Sequence, residues 1–115
     1  MAPTETFTLD YHGNPLRIVM KDGEPWYLVS DLCRILNIYM RPGKPVTKEA
    51  MRRLRPSAKD HHIIETSHGP RVAAIVNRDG LADLAFWAKR PDGPEPFVWS
   101  VNEAMISGRY EAAAA

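Results

Sequence analysis

Apolar and polar positions alternate along the first quarter of the chain. Phe7, Leu9 and Tyr11 are separated by Thr8 and Asp10, the period of a strand with one buried face. His12-Gly13-Asn14-Pro15 interrupts the pattern with turn chemistry, since Gly and Asn accept positive φ and Pro presets the exit. A second strand is expected over residues 16–20. Lys21-Asp22-Gly23-Glu24 then reads as a tight hairpin, because Asp-Gly suits a type I′ turn. A third strand follows over residues 25–29, with Pro25 at its start. Residues 6–28 therefore predict a β-meander.

The period changes after Val29. Leu32, Ile35 and Leu36 form an apolar helical stripe, with Ser30 as the expected N-cap and Asp31 at the positive end. Cys33 lies in that stripe and reads as a small packed side chain. Residues 39–45 carry Pro42, Gly43 and Pro45 and read as a loop. Thr47 is the expected cap of a second helix over residues 48–54, which Arg55-Pro56 ends. Residues 61–65 and 71–76 predict a hairpin around Thr66-Ser67-His68-Gly69-Pro70. Asn77 caps a third helix with Asp79 in its first turn, and Leu81, Leu84, Ala85 and Ala88 define its apolar face. Residues 91–96 form a proline-rich connector. Ser100 and Glu103 have capping-box spacing for a last helix, although Phe97, Val98 and Trp99 also fit its first turn. Gly108 is its expected C-cap. These elements make an α+β single domain, with two antiparallel β portions and about four short helices. It spans residues 1–111, and an alanine tail occupies 112–115.

The chain has 115 residues, 44% of them hydrophobic and 25% charged, which suits one soluble domain. No apolar run has the length of a membrane span. The N-terminus lacks the basic and apolar regions of a secretory signal. A lone cysteine cannot form an internal disulfide. A cytoplasmic location is the expectation.

Net charge is only +1, but its distribution is uneven. Arg41, Lys44, Lys48, Arg52, Arg53, Arg55 and Lys59 lie within residues 41–59, opposed only by Glu49. Lys48, Arg52 and Arg55 are spaced to share one helical face, with Arg53 beside them. Such a face suits phosphates. If four to six of these cations each neutralise one phosphate, log K falls with log salt at a slope of about −3.6 to −5.4. A solvated charged surface is the alternative. Tyr39 lies in the same region, where packing is the simpler role and base stacking the other.

Catalytic chemistry is not visible. Walker, dinucleotide and nucleophile-elbow patterns are absent. Asp79 and Asp83 are better explained by the helix dipole and a polar helix face. His61 and His62 point to opposite faces of a strand, which is poor ligand geometry, and with His68 and one distant cysteine they make no zinc pattern. No metal or cofactor is expected. Trp26, Trp87 and Trp99 are expected in the core, each burying on the order of 200 Å². Arg109 and Tyr110 read as structural, the first pairing with a carboxylate and the second closing the core.

Leu16 to Val19, Asp22 to Tyr27, Val29 to Leu36, Ile75 to Leu81, Trp99 and Gly108 to Tyr110, taken in order, resemble the BRO-N domain of prophage antirepressors and viral BRO-family proteins. Leu16-Arg17-Ile18-Val19 is similar to its second strand, and Asp22-Gly23-Glu24-Pro25-Trp26-Tyr27 to its hairpin. Residues 29–36 resemble its first helix, residues 75–81 its strand-to-helix junction, and Gly108-Arg109-Tyr110 its closing element. The family pattern is lost at Asn37, at Arg78, at residues 103–106 and through the basic middle section. The resemblance implies a non-enzymatic phage or prophage regulatory module that binds DNA. Capture of a repressor or host defence protein is the alternative, and inhibition of a defence nuclease a third. Homodimers are common among regulators, but no seam is identifiable in the sequence.

Overall fold

A computed structural model describes residues 6–108 and 111–112. The meander forms as expected: β1 (Thr6–Tyr11), β2 (Asn14–Lys21) and β3 (Glu24–Leu28) pair antiparallel in succession. His12 and Gly13 both have positive φ, as do Asp22 and Gly23, so both turns match the right-handed strand twist. Next come α1 (Val29–Leu36), the short hairpin β4 (Met40–Arg41) and β5 (Lys44–Pro45), and α2 (Thr47–Arg53). A 3₁₀ turn (Pro56–Ala58) leads into β6 (Lys59–Thr66) and β7 (Gly69–Val76). Two helices, α3 (Arg78–Trp87) and α4 (Glu95–Ser107), and a two-residue strand β8 (Glu111–Ala112) complete the described residues.

The two predicted β portions are one sheet. Its order is β6-β7-β3-β2-β1-β8, and the join is short: Tyr27 opposite Val76 and Leu28 opposite Ile75. Local alternation cannot show such a long-range pairing. The strand period sorts residues between two cores. Leu9, Leu16, Ile18, Tyr27 and Val76 face the helices. Val19, Leu28, Ile64 and Ile75 form a smaller cluster on the other face, flanked by Trp26 and Ala73. Lys21 of β2 forms an ion pair with Asp60 of β6 on that second face. Those strands are three spacings apart, about 14 Å on a flat sheet, so the sheet curls toward this face. No helix among the described residues is long and apolar enough to cross a membrane.

Two expected caps are corrected. α1 starts at Val29 with Leu28 as its N-cap, and α2 starts at Thr47 after Val46, neither with a side-chain cap bond. Asn77 does cap α3, accepting from the Gly80 N–H at 3.1 Å. α4 begins at Glu95, so Pro96 lies in its first turn and Ser100 in its interior. Gly108 ends it with φ 70, the left-handed C-cap that glycine favours.

Candidate nucleic-acid interface

The basic segment of 41–59 is spread over four local structures: the β4–β5 hairpin, α2, the 3₁₀ turn that Arg55 precedes, and the start of β6. Pro42 and Gly43 turn the β4–β5 hairpin, Gly43 at φ 84. Arg41 and Lys44 stand opposite one another on it, both exposed. Lys48 is exposed in the first turn of α2, the end where the helix dipole disfavours a cation. None of these three makes an ion pair among the described residues. Three unpaired cations with no local structural partner are the most available part of this surface.

The other four are engaged. Arg52 approaches Glu49 at 3.5 Å, and Arg55 approaches Asp83 of α3 at 3.3 Å. The Arg53 guanidinium lies 4.2 Å from the centre of the Trp87 ring and donates to the Tyr39 hydroxyl. The Lys59 ammonium donates to the Met51 carbonyl. The expected single face of Lys48, Arg52 and Arg55 is therefore not made. α2 ends at Arg53 because Leu54 and Arg55 are extended ahead of Pro56, and Arg55 turns toward α3. Tyr39, held at φ 53, packs against the core and meets Arg53.

Folding adds cations that the sequence window missed. Arg53, Lys89 and Arg90 line one depression with Phe86, Trp87 and Pro94. Lys89 leaves α3 in the left-handed region at φ 50. Arg90 lies over the Phe97 ring at 5.8 Å and 3.8 Å from Asp92. The cationic surface thus continues from α2 onto the α3–α4 connection, more than thirty residues away in sequence. An Arg over an aromatic face is a stabilising pair, but no sequence period links residues 53 and 87.

Trp99 is a correction. It is 65% exposed, and Phe86 67%. α4 buries Phe97, Val101 and Ala104, positions spaced i, i+4 and i+7, which turns Trp99 to the opposite side. That spacing was readable; aromatic size overrode it in the expectation. Trp26 and Trp87 are partly buried, Trp26 beneath Lys21 at 4.8 Å. Phe86, Val98, Trp99 and Pro94 line a groove between α3 and α4 of about 480 Å³, with Asp83 and Asn102 on its walls.

The remaining candidate groups take structural positions. Cys33 is buried, and burial pushes its thiol up to about 11. Asp79 is exposed in the first turn of α3, and Asp83 holds Arg55. His61 and His68 are exposed, and among the described residues no three His, Cys, Asp or Glu groups come together as a metal site. Arg109 and Tyr110 lie outside the described residues. The ion pair of Arg17 with Asp31, in which the carboxylate is buried and the guanidinium partly exposed, has no signal in the sequence spacing.

Comparison with known proteins returns nothing: no family model, no curated protein and no solved structure matches the chain.

Proposed function

We propose that the domain is a non-enzymatic regulatory module of the antirepressor type that binds DNA through its cationic surface. The observation that carries this is a depression that gathers cations from two separate segments of the chain. Arg53 of α2 shares a depression with Lys89 and Arg90, while Arg41, Lys44 and Lys48 are exposed and make no ion pair among the described residues. The ion pairs of Arg52 and Arg55 do not remove them from use. Exposed pairs of this kind contribute about 0–1 kcal/mol, less than a phosphate contact returns. The resemblance to BRO-N domains supports the same reading.

The test replaces Lys44, Lys48 and Lys89 together by Ala. None of the three makes an ion pair among the described residues, so the fold should be retained. Duplex DNA is titrated at two salt concentrations. If each lysine neutralises one phosphate, the salt slope becomes shallower by about 2.7. Unchanged affinity and slope would remove this surface from the function.

The exposed pair Phe86 and Trp99 favours a second reading, capture of a repressor or host defence protein in the α3–α4 groove. Phe86→Ala with Trp99→Ala separates the two. Loss of repressor binding with DNA binding intact supports the second reading, and the reverse supports the first.

A further inference from the structure

Among the described residues, no strand pairs with the outer edge of β6. The strand pairs one-to-one with β7 over eight positions and contains neither a bulge nor a proline, two of the devices that blunt an edge, and its charges, Lys59, Asp60 and Glu65, lie toward its two ends. Its hydrogen-bonding phase follows from the step before it. The Asn77 N–H donates to the Ala58 carbonyl at 3.0 Å, and this couple continues the β6–β7 register. Antiparallel ladders alternate. Even-numbered residues of β6 therefore bond to β7, and the backbone groups of Lys59, His61, Ile63 and Glu65 point outward. His61 agrees: its N–H bonds to the Asp60 carboxylate at 2.8 Å.

The same strand carries an apolar pair. Ile63 stands opposite Val72, and the two are 65% and 69% exposed. They lie on the face that the helices cover only farther back, at Ala74 and Val76.

We propose that β6 is a homodimer seam, pairing antiparallel with β6 of a second copy about a two-fold axis at Ile63. An axis perpendicular to the sheet keeps each face continuous, so residues of the same parity must stand opposite. That excludes the registers that would set Asp60 against Glu65. Centring on Ile63 aligns three outward-facing residues of each copy, for about six backbone hydrogen bonds. Ile63 meets Ile63 of the second copy, and Val72 flanks each, giving an apolar strip across four strands. Each His61 faces a Glu65 carboxylate of the other copy, so a ring N–H stands opposite an acceptor. Asp60 sets the limit. Its carboxylate occupies the His61 N–H and must yield it, so the dimer is weak and concentration-dependent. This seam is independent of the DNA reading.

Sedimentation of the full chain across a wide concentration range tests it, with circular dichroism to confirm folding. The wild type should pass from monomer to dimer. Ile63→Lys sets like charges on the axis and should give monomer throughout. Asp60→Ala frees one N–H per copy and should tighten the dimer about tenfold. Ile63→Cys should crosslink under oxidation, whereas His62→Cys should not, because its partner is offset along the strand beyond disulfide reach. Wild type that stays monomeric, a dimer that survives Ile63→Lys, or crosslinking through residue 62 rather than 63 overturns the proposal. The first result would leave the edge to a strand of another protein.

Discussion

Arg17 and Asp31 are joined twice, once through the backbone and once through the side chain. The Asp31 carboxylate accepts from the Arg17 backbone N–H at 2.8 Å, and from its Nε and Nη2 at 2.9 Å each. The β2–β3 ladder ends at Ile18 opposite Tyr27, because the chain turns into α1 at Val29 and Leu28, the last residue of β3, pairs only with Ile75 of β7. Asp31 then supplies the acceptor that a continued β3 would have offered. One carboxylate, only 3% exposed, ties the first helix to the sheet.

Removing that carboxylate should be costly. Asp31→Ala leaves the Arg17 backbone N–H without its acceptor and turns the guanidinium to solvent, and a loss of about 2 kcal/mol is expected. Asp31→Asn keeps one acceptor oxygen and should lose roughly half as much. Urea unfolding of the two variants checks the order. A loss for Asp31→Ala of less than about 1 kcal/mol would show that the pair does not anchor α1.

Tyr27 offers the opposite sign. It is fully buried, and its hydroxyl has no hydrogen-bond partner among the described residues. Burial pushes the phenol up, while the charge of Arg78 pulls it down. An unsatisfied buried hydroxyl costs about 1–3 kcal/mol. Tyr27→Phe keeps the ring and deletes the hydroxyl, so it should raise stability by about 1 kcal/mol. A lower melting temperature for Tyr27→Phe would contradict this.

Cys33 gives a pH dependence in the alkaline range. Burial raises its thiol from 9.0 to about 11, so the folded state favours the neutral form. Its stabilising contribution is complete below the unfolded value and declines as pH rises from 9.0 toward about 11. Cys33→Ala should flatten that part of the stability profile. A thiol reagent at neutral pH should modify Cys33 only on unfolding, and fast labelling of native protein would refute the burial.

Asp60 behaves in the acid range. The hydrogen bond from Lys21 is the largest cause that lowers its carboxyl below the ordinary value of 3.8, and the His61 N–H adds to it. A depressed carboxyl stabilises above the unfolded value, and that contribution is lost as pH falls below 3.8. Lys21→Ala should move the Asp60 titration upward in NMR. No movement would mean that the β2–β6 ion pair does not persist in solution.

Most elements were legible from local pattern. Period-two alternation and Asp-Gly chemistry placed the meander, and Asn77 and Gly108 placed helix ends, because turns and caps depend on residues a few positions apart. Trp99 was misplaced although the α4 spacing pointed outward. The α1 and α2 caps were misassigned because Ser30 and Thr47 are already helical.

The candidate site was legible in composition and not in arrangement. The window from Arg41 to Lys59 identified the cations, since charge is a property of residue type. It did not show that Arg55 turns to Asp83, that Arg53 stacks on Trp87, or that Lys89 and Arg90 join the same surface. Nor did it show that the two hairpins fuse through Tyr27, Leu28, Ile75 and Val76. Sequence by itself determined which segments become strands and helices and where positive charge accumulates, because both follow from neighbours along the chain. Only the tertiary structure decided which cations stay available and which edge and groove stay open, because those depend on contacts between residues that packing, not sequence spacing, brings together.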